Sequence, residues 1–363
     1  MHLHRLVVRI ALLVVLTSTA ADLNAQESAS QPSPARQTGY ALKKPVFGGA
    51  CKTCPWGSIA DIVKAAMQPY GYDIQIYYNC AGGAQEARIV MGAKMPPPWR
   101  PVSGLAIPEP PDGPVDFGAT GLQYLWWAYQ GTHDFAKDPE GPRKNIRIVA
   151  NIQDPSYYFV AVKADSGITD LRQIVEKRLP VQVLATTQGG TEMTLAIINH
   201  FGLTSEALES FGGKLRRNIL EDKKNLDVII GWGALDNAPE YNTWYDVSQR
   251  YDLKYLKLPD DLRAKMEKEF DLQEGVIPIG LLRGVDEPIP AMVRTGTIIY
   301  GRTDMPDDFA YTLAKALDEH QDLFQWAGGG MHFSYNPHTV WKAFEIPLHP
   351  GAARYYKQAG YMK

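Results

Sequence analysis

Short runs of β-branched and aromatic residues recur along the chain, and each run is bounded by Gly, Pro, Asn or Asp. Such runs are typical of β-strands, because turn residues end extended segments. We therefore predict eight strands from this pattern, at residues 44–48, 73–79, 116–119, 146–152, 157–163, 181–185, 226–231 and 296–301.

Helical patterns lie between several of these strands. Ser58 to Asp61 resembles a capping box, and the residues from Ile62 to Met67 continue it with an apolar face. Further helices are predicted at 84–91 and 191–200, and residues 304–306 open another. Strands and helices in alternation predict an α/β architecture with largely parallel sheets.

The N-terminus has the features of a secretory signal peptide over residues 1–25. Arg5 and Arg9 give a positive start, an apolar run follows, and small residues end the segment. The apolar run is shorter than the roughly 20 residues that a bilayer requires. Residues 26–43 are polar and are predicted to form a flexible leader. We therefore expect a periplasmic protein.

Composition narrows the class of function. The 363 residues carry a formal net charge of −3 and no basic tract, so nucleic acid is not an expected partner. The length suggests two domains. The chain has no G-x-S-x-G, no H-E-x-x-H and no Walker loop, so we expect neither an enzyme nor a bound cofactor.

Residues 95–114 interrupt the alternation with eight prolines. Proline at this density fits neither a helix interior nor a central strand. The segment is interpreted as a surface excursion, or as a lid or docking loop anchored by Trp99.

Glycine-rich junctions precede three of the predicted helices, at residues 48–57, 81–83 and 188–190. The first amide groups of a helix have no internal partner and carry partial positive charge. Glycine lets a ligand approach such a helix start closely. Three junctions of this kind, from both halves of the chain, predict an anion or carboxylate site between two domains.

Five segments of the chain form an ordered set of motifs: the C-terminal IPLHPGAARYYKQAGYMK (346–363), VAVKADSGITDL, TTQGGTEMTLAIINHFGL (186–203), NCAGGAQEARIVMGAKM and IIYGRTDMPDDFAYTLAKALDEH (298–320). This set resembles the TAXI-type solute receptors of TRAP transporters. Together the five segments span roughly residues 44–363, with the proline-rich segment as an insert.

The resemblance implies a type II periplasmic-binding-protein fold, an α/β architecture of two lobes. Each lobe would hold a mostly parallel sheet flanked by helices, and two crossover strands would join the lobes. Lobe 1 would comprise residues 44–162 plus 295–363, with the insert at 95–114, and lobe 2 residues 163–294. Receptors of this type clamp a small organic anion and deliver it to the membrane permease of a TRAP transporter. They are not enzymes.

The site that follows from the junctions and the resemblance lies at the seam of the lobes. Its predicted ligand-binding residues are Cys51, Thr53, Trp56, Cys80, Gly82, Gly83, Thr120, Gln123, Gly190, Thr191 and Trp232. Trp56 and Trp232 favour a less polar organic acid than glutamate. For Tyr124, Trp126 and Trp127 the alternative interpretation is packing in the core.

The chain has three cysteines, Cys51, Cys54 and Cys80, and four interpretations of them compete. An oxidising compartment favours a disulfide, Cys51–Cys54 or Cys54–Cys80. A thiol or disulfide could instead touch the ligand. Three thiolates would also suit Cu(I) or Zn, which makes a soft-metal carrier on the same fold the alternative function. A thioredoxin-like catalyst is the fourth interpretation, and a sensory protein that docks on a receptor is a further functional alternative.

Overall fold

The computed structural model describes residues 40–41, 43–49, 55–78, 83–92, 115–152, 156–185, 191–216, 225–234, 243–294, 296–326 and 334–363. The strands of these residues are β1 (Val46–Gly48), β2 (Gln75–Tyr77), β3 (Phe117–Gly121), β4 (Ile146–Ile152), β5 (Ser156–Lys163), β6 (Gln182–Ala185), β7 (Lys214–Arg216), β8 (Val228–Ala234), β9 (Leu253–Tyr255), β10 (Gln273–Ile277), β11 (Ile289–Arg294) and β12 (Thr297–Arg302).

Helices separate most of the strands. They are α1 (Pro55–Met67), α2 (Gly83–Val90), α3 (Leu122–Gln130), α4 (Arg172–Glu176), α5 (Thr191–His200), α6 (Ser205–Ser210), α7 (Thr243–Arg250), α8 (Asp260–Phe270), α9 (Asp307–Glu319), α10 (Asp322–Trp326) and α11 (Pro350–Gln358). No helix among the described residues is long and apolar enough to cross a membrane.

Two sheets organise the described chain. The first has five strands in the order β2-β1-β3-β12-β4, and the second has seven, in the order β10-β11-β5-β8-β6-β7 with β9 paired to β5. We call the first sheet and its helices lobe 1, and the second sheet and its helices lobe 2. The predicted α/β class and the two-lobed arrangement are confirmed.

Both sheets are mixed, whereas the sequence predicted mostly parallel ones. Strand β1 is parallel to β2 and β3, and β6 is parallel to β7 and β8. The pairs formed by β5, β11 and β12 are antiparallel. Parallel neighbours need a helical crossover within one sheet. Strands next to the links between the lobes have no such crossover, and they pair in the antiparallel sense.

The chain passes between the sheets at two points. The first crossing lies between Ile152 and Ser156, since β4 pairs in the first sheet and β5 in the second. The second lies between Arg294 and Thr297, at the junction of β11 and β12. The sheet therefore changes before β5, while the sequence put the first boundary at its far end, at residue 162.

All eight predicted strands are present, but the predicted start of the first helix was wrong. Helix α1 begins at Pro55, so Ser58 lies inside the helix and caps nothing. Proline is well suited to the first turn, where its missing N–H has no partner to lose. Asp61 instead accepts a hydrogen bond of 2.6 Å from the hydroxyl of Tyr78.

Three apolar clusters hold the described chain together. One lies in lobe 1, where Phe117 packs edge-on against Phe47 and Phe309 at ring distances of 4.9 and 5.1 Å. A second lies in lobe 2, around Phe159. The third includes buried residues of both sheets, such as Ile148 of β4 and Tyr158 of β5, together with Trp127 of α3. The two lobes are thus packed on each other through a common core.

Candidate ligand-binding site

The candidate site in lobe 1 begins where β1 and β3 end. These strands are parallel neighbours. The chain continues from β1 to β2 on one side of the pair, and from β3 to β4 on the other side. In open α/β sheets, ligands bind at such a switch point, beyond the carboxyl ends of the strands. Helices α1, α2 and α3 all begin on this side, at Pro55, Gly83 and Leu122.

Gly83 and Thr120 fix the start of α2 against β3. The fully buried hydroxyl of Thr120 donates a hydrogen bond of 2.8 Å to the carbonyl oxygen of Gly83. A Cβ at Gly83 would lie 2.8 Å from Cγ of Tyr124 and closer still to two other ring atoms. Both predicted residues therefore lie at a fixed helix start, the hydroxyl proton of Thr120 is already used, and their contact with a ligand stays a prediction.

Trp56 and the second crossing are joined directly. The indole N–H of Trp56, in the first turn of α1, donates a hydrogen bond of 3.2 Å to the hydroxyl oxygen of Thr297. Its ring passes the end of β3, since a Cβ at Gly121 would lie 3.8 Å from its Cζ2. The N–H of Trp56 is therefore engaged, and a contact of its ring with a ligand stays a prediction.

Gln123 connects the lobes. Its side chain is 2% exposed, and its amide donates a hydrogen bond to the carbonyl oxygen of Phe270 at the end of α8. Next to it, the indole N–H of Trp127 donates to the carboxylate of Asp271 at 3.3 Å. The structure thus gives this predicted ligand residue a contact across the seam.

The lobe 2 wall is formed by one face of its sheet. Tyr158 of β5 lies directly opposite Trp232 of β8, and Ser156 of β5 lies opposite Arg294 of β11. Paired residues and residues two apart on a strand share a face. These four side chains therefore lie on one face, at the end of the sheet next to both crossings.

Arg294 is the charged residue at the centre of this wall. Its guanidinium carbon lies 4.8 Å from the centre of the Trp232 ring, and the residue is only 9% exposed. A cation over an indole face is stabilised by the ring quadrupole, more strongly where water is excluded. Its planar fork of five N–H donors matches the geometry of a carboxylate.

Two phenols and a carboxylate surround this position. Burial raises the pKa of Tyr124 to about 12, while Arg294 lowers it and Glu192 raises it. Burial also raises the pKa of Tyr158, with the same opposing effects from Arg294 and Glu192. Glu192 lies in the first turn of α5, where the helix dipole favours a negative charge. Residues of both lobes therefore meet in one electrostatic neighbourhood.

The second crossing contains a glycine that its surroundings require. Gly296 has φ +89°, and a Cβ there would lie 3.0 Å from Cγ of Asn151. Its carbonyl oxygen accepts a hydrogen bond of 2.9 Å from the amide of Leu122, the first residue of α3. The crossing strand is therefore tied to the helix start that borders the site.

Trp232 lies within β8, two residues before its last residue, whereas the sequence put it just beyond the strand. Arg294 and Tyr158 were not among the candidate ligand residues predicted from the sequence, and Tyr124 was raised only with core packing as the alternative. Trp232 is half-buried next to Arg294. Trp127 is buried in the core. Trp126 lies at the edge of the core, where its ring stacks on that of Tyr129 at a centroid distance of 6.1 Å.

Several predicted residues lie outside the described chain. They are Cys51, Thr53, Cys54, Cys80, Gly82 and Gly190, together with the signal peptide and the proline-rich insert. Thr191 is described only as the first residue of α5. Among the residues that the structure does describe, no three His, Cys, Asp or Glu side chains are grouped as metal ligands would be.

Comparison with known families identifies the chain over more than half of its length. The NMT1-like family matches residues 111–360. The chain belongs to the NMT1-like family. The match includes β3 to β12, and with them Arg294, Trp232 and Tyr158. The finer TAXI assignment stays a prediction.

Solved structures resemble this NMT1-like chain at low identity. One described as a periplasmic transporter is 13% identical, with coverage of 87% of this chain and 92% of its own, and a TM-score of 0.43. Periplasmic binding protein BugD is 10% identical, with coverage of 87% and 93% and a TM-score of 0.42. MatC from Rhodopseudomonas palustris, with bound malate, is 12% identical, with coverage of 79% and 88% and a TM-score of 0.42. The two-lobed architecture of this chain follows from its own strand pairing.

Proposed function

We propose that the protein is a periplasmic solute-binding protein. It captures a small organic acid between its two lobes and delivers it to a TRAP-type membrane permease, as the TAXI-like sequence motifs imply. Hinge closure at the two crossings would exclude water from the site, and the closed surface would be the form that the permease recognises.

The observation that carries this proposal is the position of Arg294. Arg294 is the last residue of β11, beside the crossing into lobe 1. The ring of Trp232 covers one side of its guanidinium. A ligand carboxylate held there in a two-point contact lies where closure of the lobes removes it from water, which strengthens the ion pair.

The rest of the wall supports an organic acid with an apolar part. Trp56 offers a ring face and Trp232 a half-buried indole, while Tyr124 adds a phenol from lobe 1. Three helices begin at the lobe 1 side, and α5 begins at the lobe 2 side after Gly189 and Gly190. Their first amide groups favour an anion.

Binding to a panel of carboxylic acids, measured by thermal shift and calorimetry, tests the proposal. A ligand that binds only the folded state raises the melting temperature. Arg294→Lys keeps the charge and loses the fork, so we expect at least tenfold weaker binding; Arg294→Met should be weaker still. Arg354→Lys is the matched control, because Arg354 is exposed on α11 and pairs with Asp308. Equal affinity in Arg294→Met and the wild type would refute the carboxylate role.

Delivery needs a separate experiment. Proteoliposomes that contain a TRAP-type permease should take up the identified ligand only when the loaded protein and a sodium gradient are both present. Uptake that does not depend on the loaded protein would refute delivery and leave ligand binding intact.

A further inference from the structure

Tyr158 is a fully buried phenol whose hydroxyl has no hydrogen-bond partner in the described part of the chain. The residue is 1% exposed, and its oxygen is inaccessible to solvent. Two other fully buried tyrosines are satisfied: Tyr300 donates to the carbonyl oxygen of Glu86 and Tyr356 to that of Val149, each at 3.0 Å. An unpaired buried hydroxyl costs roughly 1–3 kcal/mol, so this one calls for a physical reason.

The position of Tyr158 supplies a reason. Strand register sets it directly opposite Trp232 and two residues from Ser156, the partner of Arg294. Diagonal neighbours of this kind have Cα atoms about 7–8 Å apart, within reach of long side chains. The guanidinium of Arg294 lies over the ring of Trp232. The phenol of Tyr158, the indole of Trp232 and the guanidinium of Arg294 are therefore neighbours on one face of the sheet.

We propose that the hydroxyl of Tyr158 donates a hydrogen bond to a keto or hydroxyl oxygen that the ligand carries next to the carboxylate held by Arg294. This inference rests on the proposed function and names its substrate class: small 2-oxo or 2-hydroxy carboxylates with an apolar remainder. The empty donor then reflects a site that is completed only when such a ligand is present.

An oxygen fits this position better than an amino group. An ammonium group has three donors and no acceptor, so it would leave the phenol proton of Tyr158 unpaired. A keto oxygen is neutral and accepts the proton, and a 2-hydroxyl oxygen does the same while its own proton can find another acceptor.

The experiment uses matched pairs of acids that differ only in the keto group: phenylpyruvate with 3-phenylpropanoate, and 4-methyl-2-oxopentanoate with 4-methylpentanoate. Calorimetry gives both affinities for the wild type and for Tyr158→Phe. A site that is built to bond an oxygen discriminates against the analogue that lacks it, because a buried donor is then left unpaired. We expect the keto member to bind about tenfold more tightly to the wild type, and the two members nearly equally to Tyr158→Phe.

Tyr157→Phe is the control, since Tyr157 is the next residue of β5 and belongs to the core on the other face of the sheet. It should keep the wild-type ratio. The unliganded Tyr158→Phe protein should melt no lower than the wild type, because it loses only an unpaired group. A clear fall in its melting temperature would reveal an internal partner and overturn the inference.

The remaining outcomes separate this inference from the function on which it rests. Acids that bind in an Arg294-dependent manner, with the same ratio in the wild type and Tyr158→Phe, would overturn the role of Tyr158 alone. Tighter binding of 2-amino acids than of 2-oxo acids would overturn the substrate class. If no member of any pair binds the wild type, the substrate class fails, and the wider panel of carboxylic acids decides the proposed function.

Discussion

The first residue of α2, Gly83, lies against the ring of Tyr124 with no space for a side chain between them. A Cβ there would be 2.8 Å from Cγ of the ring, and nearer to Cδ2 and Cε2. Real Cβ atoms are almost never found that close to another atom. The requirement for glycine at this helix start is therefore steric, and it comes from the same phenol that borders the candidate site.

Gly83→Ala should lower the free energy of unfolding by roughly 1–3 kcal/mol, because overpacking forces the ring or the helix start to move. Urea unfolding measures the effect. The control is the same substitution in a Tyr124→Leu background, where the smaller side chain relieves the clash and the cost should fall by more than half. Equal costs in both backgrounds would show that Tyr124 is not the obstacle.

Trp56 should contribute to binding through its ring and to stability through its N–H. Trp56→Phe removes the hydrogen bond to Thr297 and should cost about 1 kcal/mol of unfolding free energy, with less than a threefold loss of ligand affinity. Trp56→Ala removes the ring as well and should weaken binding at least tenfold.

The double variant Trp56→Phe with Thr297→Val should show a coupling energy of 0.5–1.5 kcal/mol, about the net value of one hydrogen bond. Calorimetry and urea unfolding check the two parts separately, and equal affinities of Trp56→Phe and Trp56→Ala would contradict the assignment to the ring.

Gln123 should act on affinity through the contact between the lobes. In Gln123→Leu the carbonyl oxygen of Phe270 loses its donor, which weakens the packed arrangement of the lobes by about 1 kcal/mol. The closed arrangement of the lobes is then less favourable. Part of the binding free energy is needed to reach it, so we expect three- to tenfold weaker binding. Gln130→Leu, at the exposed end of the same helix, is the control. Small-angle scattering of the ligand-saturated protein should show a larger radius of gyration for Gln123→Leu only; unchanged scattering and affinity would disprove the role.

The sequence pattern identified strands that are runs of β-branched and aromatic residues bounded by turn residues. It missed β11, the strand that contains Arg294. Strand β11 contains Pro290, and proline inside an apolar run argues against a strand. Here the strand pairs β10 on one side along its length but β5 only through Val293 and Arg294, so the proline is tolerated. Because the strand was missed, its last residue was not considered for the site.

Helix α3 escaped prediction for a different reason. Its sequence LQYLWWAYQ is apolar on nearly all sides, so it has no polar stripe to reveal the helical period. The role of Gln123 was equally invisible, because its partner Phe270 lies 147 residues away. Local periodicity describes which face of an element is buried, whereas contacts across the seam depend on how the two lobes meet.

His349 explains part of the C-terminal motif and predicts a dependence of stability on pH. The residue is 1% exposed and caps α11: Nδ1 accepts a hydrogen bond of 3.2 Å from the amide of Gly351, while Nε2 donates to the carbonyl oxygen of Met305 at 3.0 Å. The bond from Gly351 needs the neutral ring, because a protonated Nδ1 cannot accept it. Burial lowers the pKa of His349 below its ordinary value of 6.5; the hydrogen bond to Met305 and the carboxylate of Asp307 oppose this shift, and Arg147 adds the smallest effect, in the lowering direction.

The sign of the pH effect follows from proton binding in the two states. Below pH 6.5 the unfolded chain binds a proton at His349 that the folded protein does not, so stability falls as the pH falls through that range. His349→Asn keeps a good N-cap and removes the titration, and it should reduce the slope of unfolding free energy by up to about 1.4 kcal/mol per pH unit. Thr204→Asn, at the N-cap of α6, changes a cap without a titrating side chain and should leave the slope unchanged. Urea unfolding at intervals between pH 7 and pH 5 gives the slopes, and His349→Asn with the wild-type slope would mean that protonation of the cap does not limit stability.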